Sequence, residues 1–205
     1  MTGAQSEQDV LKSESLTEEE ALELATALKQ KLRDGELPNS DLASINKMVA
    51  GLGDSRGGLR LTFAKSLGSV GEEAIPILCE ALKNSSNVTI RRASAKTLNI
   101  IGHKKALPNL IEAFETDEDP VVQGSSAGAM ATIGEPAIEP LLKILTEPKC
   151  TAFQIGLINL ALGFIGSKSP MALHSATSSK NPEIRIAALS ALAEQAQKQE
   201  NNQVR

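Results

Sequence analysis

Aromatic side chains are scarce in this chain: four Phe among 205 residues, with no Trp and no Tyr. A surface that grips nucleic acid by stacking bases on rings is not expected, and a formal net charge of −4 removes the general attraction to phosphates. Two cysteines, Cys79 and Cys150, are too few for a tetrahedral zinc site or a disulfide framework. The two histidines, His103 and His174, have no partner at metal-ligand spacing. No apolar run approaches the roughly 18 residues of a membrane span, and none at the N-terminus has the form of a signal peptide. The expectation is a cytoplasmic protein in a reducing compartment, with no membrane span, no nucleic-acid partner, no metal and no permanently bound cofactor.

Aliphatic residues are plentiful, so the core must be built from Ala, Leu and Ile, which suit closely packed helices. Their arrangement is periodic. Leu67-Gly68-Ser69-Val70-Gly71 is echoed by Leu98 to Gly102, Met130 to Gly134 and Leu162 to Gly166, with the closing glycines 31, 32 and 32 residues apart. A fifth copy begins at Ile184-Arg185. Self-similarity at this period marks stacked supersecondary units. Within a unit, Ala93, Ala95, Leu98 and Ile101 fall at helical spacing and the glycine ends that first helix. A second apolar helix follows with proline near its start, as in Ala74-Ile75-Pro76 and Ala106-Leu107-Pro108. Polar turns such as Asn84 to Asn87 and Thr116 to Pro120 close each unit.

The predicted fold class is all-α, a HEAT-like α-solenoid of about five helix pairs behind an N-terminal capping pair. Residues 1–15 and 197–205 read as disordered tails, 16–52 as capping helices opened by the capping box Thr17-Glu18-Glu19-Glu20, and 53–196 as the repeat array.

Three sets of polar residues are candidates for function. Arg60, Arg91, Gln123, Gln154 and Arg185 share one register; they either line a binding face or bond Asn87, Asp119 or Asn181 in the preceding turn and lock repeat to repeat. The segment Gly51 to Arg60 gathers four glycines, Asp54, Arg56 and Arg60. It could offer guanidinium forks to a carboxylate or form a turn with a local Asp–Arg pair. Cys150 takes the position that Asp119 holds one unit earlier. There it is either a thiol activated by the helix N-terminus, and so a candidate catalytic residue, or a replacement for a cap residue. Cys79 is expected to be buried, and His103 solvent-facing.

The stretch Gly51 to Gly68, the paired arginines in Ile90 to Leu98, the Asp117-Glu118-Asp119 turn into Val121 to Ser125, and Ala161 to Gly166 resemble the HEAT-like family of the E/F-type phycobilin lyases and the phycobilisome degradation protein NblB. The resemblance spans residues 40–195. It implies contact with phycobiliprotein subunits and a transient open-chain tetrapyrrole, a phycobilin, attached or, in the NblB branch, detached. On that resemblance Asp54, Arg56, Arg60, Arg91 and Arg92 bind bilin propionates or partner carboxylates. Reversing thiol addition to a bilin needs a proton donor and a proton acceptor. The family pattern implies a histidine and a tryptophan near the start of the fourth repeat, where this chain has Thr151-Ala152-Phe153-Gln154-Ile155-Gly156-Leu157-Ile158-Asn159. The alternative reading is a non-catalytic HEAT adaptor that holds another protein.

Overall fold

Glycine, proline and Asx residues at regular intervals divide the aliphatic chain into helices, and a computed structural model describes residues 16–203 in these terms. The expected N-terminal tail, residues 1–15, lies outside the described residues. Among the described residues the regular structure is entirely helical, and the chain separates into two compact units, residues 1–101 and 102–205. That division falls at Gly102, between the two helices of the second repeat. The capping pair and the first repeat both lie in the first unit.

The first unit contains α1 (Glu18–Arg33), α2 (Leu42–Gly51), α3 (Gly57–Val70), α4 (Ile75–Asn84) and α5 (Val88–Ile101). Thr17 opens α1 through a reciprocal capping box: its hydroxyl accepts from the Glu20 amide, while the Glu20 carboxylate accepts from the Thr17 amide at 2.8 Å. Ala21, Ala25 and Leu28 form its buried stripe. Helices α1 and α2 both pack on α3, and α3 and α4 pack on α5. Phe63, Met48, Leu67, Leu78 and Leu98 are fully buried in this core. The last residue of α2, Gly51, lies so close to Phe63 that an added Cβ would come within 2.5 Å of the ring.

The second unit contains α6 (Leu107–Thr116), α7 (Pro120–Ile133), α8 (Ile138–Leu145), α9 (Ala152–Lys168), α10 (Pro170–Ala176) and α11 (Pro182–Gln203). Helix α7 packs on α6 and α9, while α11 packs on α8, α9 and α10. Phe114, Leu110, Met130, Leu141 and Leu142 are its fully buried side chains. Two of the four phenylalanines thus anchor cores; the other two, Phe153 and Phe164, are exposed on α9.

Three repeat glycines act as expected: Gly71, Gly102 and Gly134 take positive φ of 75°, 62° and 85°, which other residues rarely adopt. Gly166 does not. It is buried inside α9, which continues to Lys168 and stops where Pro170 forces Ser169 out of the helical region. The fifth repeat supplies a first helix only among the described residues. Residues 197–203, read from composition as disordered, continue that helix, because Gln, Glu and Lys are good helix formers as well as soluble ones.

Candidate functional site

The Gly51 to Arg60 loop closes on itself. Asp54 accepts from the Arg56 amide at 2.8 Å, from Nε at 2.9 Å and from Nη2 at 2.7 Å, while Arg56 Nη2 also reaches the Glu18 carbonyl at 2.9 Å. The Asp54 side chain is only 8% exposed, and the hydrogen bond from Arg56 holds its carboxyl down at about 2. Arg60 donates Nη1 to the Asp54 and Ser55 carbonyls. The loop is a turn pinned by a local Asp–Arg pair, and it ties the start of α3 to the first turn of α1. Arg56 keeps part of its guanidinium in solvent.

The register ladder has one geometry. Arg60, Arg91, Gln123 and Arg185 each donate to a backbone carbonyl six residues earlier: Asp54, Ser85, Asp117 and Ser179. Ser85 and Asp117 are the C-caps of α4 and α6, so the ladder satisfies carbonyls that a helix end leaves unpaired. The expected acceptors, Asn87, Asp119 and Asn181, instead cap the following helix through their side-chain oxygens, bonding the amides of Thr89, of Val121 and Val122, and of Glu183. Gln154 departs from the series. Its Nε2 donates to the Phe114 carbonyl at 3.1 Å, while its Oε1 accepts from the Thr151 amide at 3.0 Å. Arg92, one residue beyond Arg91, is half-buried and also engaged by its neighbours.

Cys150 corrects an expectation. The cap of α9 is Thr151, one residue later than the register of Asp119, so Cys150 precedes the helix and is not its cap. Partial burial, then the nearby Glu147 and Glu115 carboxylates, push its thiol upward. Lys149 pairs with the same two carboxylates at 3.2 and 3.1 Å. Cys79 is buried in α4, and burial raises its thiol to about 11. His103 is half-buried, and its Nδ1 accepts from the Lys105 amide in an exposed hydrogen bond that caps the turn before α6. Among the described residues no three His, Cys, Asp or Glu side chains lie close enough to hold a metal ion, and no helix is long and apolar enough to cross a membrane.

Sequence reasoning missed an open cleft of about 410 Å³ in the second unit, between α9 and α11, with Leu145 of α8 and Thr146 in the turn after it also lining it. Its walls carry Ile155, Asn159, Ile186 and Ala187, with Glu183 among the lining residues. The available signal was that Ile155 and Ile186 occupy one register position, held by Leu61 on α3, Arg92 on α5 and Gly124 on α7.

Comparison with known proteins places these features in a family. A model of HEAT repeats matches residues 45–131. The chain is 84% identical over 204 residues to the bilin biosynthesis protein MpeU of Synechococcus sp. (strain WH8020), covering all of this chain and 69% of that protein. The chain belongs to the family of that protein. It is also 32% identical over 133 residues to the uncharacterized phycocyanin operon protein Z of Pseudanabaena tenuis (strain PCC 7409), covering 61% of this chain and 65% of the relative. Among solved structures, the complex of CpcE and CpcF of phycocyanin lyase from Nostoc sp. PCC7120 matches with a TM-score of 0.52 at 23% identity, over 74% of this chain and 99% of that one. This family membership and the helical pairs above establish the fold class as all-α and HEAT-like, of the α-solenoid kind.

Proposed function

We propose that this chain is a HEAT-repeat factor of the bilin lyase type, which brings a phycobilin and a phycobiliprotein subunit together for chromophore attachment. The observation that carries this reading is 84% identity across the whole chain to a relative named for bilin biosynthesis. The HEAT-type fold shared with phycocyanin lyase is compatible with it. That name favours attachment over the NblB-type detachment implied by the sequence resemblance.

Attachment adds a cysteine thiol of the subunit across an exocyclic double bond of the bilin. The S–C bond forms, the double bond is consumed, and the thiol proton ends on carbon, so the step is redox-neutral. A factor can speed it by orienting the two reactants and excluding water. Asp54 and Arg60 act here as framework for their loop, and the exposed edge of Arg56 together with Arg92 provides cationic contact for carboxylates of the subunit or the bilin. Cys150, the weak catalytic candidate, has a raised thiol and is not assigned a covalent role. That same observation favours, as a second reading, an adaptor that binds without accelerating the chemistry.

The test incubates the purified chain with an apo-phycobiliprotein subunit and a free phycobilin, and follows formation of the covalent adduct by visible absorbance and denaturing electrophoresis. Faster adduct formation than in the chain's absence supports attachment. Co-elution with the subunit without acceleration supports the adaptor. Bleaching of holo-phycocyanin supports detachment, and no association with subunit or bilin eliminates the proposal.

A further inference from the structure

We propose that the outward face of α9 is the interface through which two copies of this chain pair about a two-fold axis. The inference stands apart from the bilin-handling reading. Helix α9 carries no charged side chain before its last residue, Lys168, and a helix that is apolar all round belongs in an interior. Within the chain α7, α8, α10 and α11 pack on it and Ile158, Leu162 and Ile165 are buried, yet Phe153, Leu160 and Phe164 stay 50%, 67% and 43% exposed. With Gly156, also exposed, they fall in one stripe at 3.6 residues per turn. Counted from the first residue of each helix, the other repeats break this stripe with polar side chains: Lys65 on α3, Lys96 on α5, Thr132 on α7 and Ser190 on α11. The repeat scaffold therefore does not ask for an apolar stripe there.

The stripe is complementary to itself when two copies run antiparallel. With the axis at Leu160, Phe164 of one copy lies over Gly156 of the other, each four residues from the axis, so a ring meets a gap. Glycine weakens a helix relative to alanine, and a Cβ at Gly156 would meet no neighbouring atom within 4 Å, so packing inside the chain leaves that glycine unexplained. Lys168, whose ammonium lies 4.4 Å from the centre of the Phe164 ring, is eight residues beyond the axis, about 12 Å along the helix. That reach sets it at the first turn of the other copy's α9, where Glu183 of α11 is exposed and lines the same cleft as Ile155. Each copy thus offers a cation to the other's carboxylate, as a two-fold contact requires. A parallel pairing in register would instead set Lys168 against Lys168 and Phe164 against Phe164.

Analytical ultracentrifugation of the full chain over a range of concentrations should show reversible association to twice 21.6 kDa. Leu160→Glu sets two like charges together at the axis and should weaken association by about a hundredfold or more. Gly156→Leu fills the gap that receives Phe164 and should weaken it by about tenfold or more, while the open space around Gly156 lets the fold accept the larger side chain. Lys168→Glu should weaken it, and combining that change with Glu183→Lys should restore it. Leu22→Glu, at an exposed position on α1, should leave it unchanged, and far-ultraviolet circular dichroism should show every variant folded. A wild type that stays monomeric at every concentration overturns the proposal; co-elution with a phycobiliprotein subunit that is lost in Leu160→Glu would then give the face to that subunit instead. A dimer that withstands both Leu160→Glu and Gly156→Leu overturns it as well.

Discussion

At the level of single residues, Asp54 shows how a candidate ligand-binding group can be occupied by its own loop. Its carboxyl titrates at about 2 against an ordinary 3.8, because the Arg56 hydrogen bond favours the charged form. A carboxyl whose folded value lies below its unfolded one contributes stability above the unfolded value and loses it as pH falls. The Asp54–Arg56 contribution is therefore intact at neutral pH and disappears between about pH 4 and pH 2. Given the partial exposure of Arg56, its size is on the order of 1–2 kcal/mol. Asp54→Asn should lower stability by that amount at pH 7 and remove the corresponding part of the acid limb, as measured by urea denaturation across pH. Equal acid sensitivity in the two proteins would mean that the pair contributes nothing. At Cys150, burial and two carboxylates favour the thiol over the thiolate. Its reaction with a disulfide reagent at pH 7 should be slower than that of free cysteine. Glu147→Gln and Glu115→Gln should each speed it; unchanged rates would show that the carboxylates do not act on the sulfur.

At the level of helices, the ladder was legible in its register but not in its bonding. Spacing alone identified Arg60, Arg91, Gln123, Gln154 and Arg185, because a repeated backbone repeats the place of its polar side chains. The acceptors are backbone carbonyls, which look alike at every residue, so sequence suggested the Asn and Asp side chains instead. Those side chains turned out to be caps. The same limit hid the cleft: the period puts Ile155 and Ile186 in register, but their exposure follows from how α11 lies on α8, α9 and α10. Gln154 is the informative member of the ladder. It is 7% exposed, and it uses both ends of its amide, one to cap α9 and the other to satisfy the Phe114 carbonyl at the end of α6. Gln154→Glu keeps the acceptor for Thr151 but loses the donor for Phe114. It should cost about 1–3 kcal/mol, the range for leaving a buried carbonyl unpaired. Gln123→Glu makes the same change at a more exposed carbonyl, Asp117, and should cost less. Equal losses would show that the reach to α6 carries no special weight.

At the level of the whole chain, repeat architecture makes stability a matter of neighbours, so helices with fewer packed faces should open first. The all-helical class and the glycine period were visible because hydrophobic spacing and positive-φ turns recur. The exposed face of α11 left no such mark. Leu189 is 58% exposed on α11, although its counterparts Ala95, Ala127 and Ile158 are at most 2% exposed. Helix α7, by contrast, is packed against helices before and after it in the second unit. Native-state hydrogen exchange should therefore show α11 amides exchanging faster than those of α7, by roughly tenfold or more. Equal protection of α7 and α11 would show that the bare face of α11 carries no energetic cost.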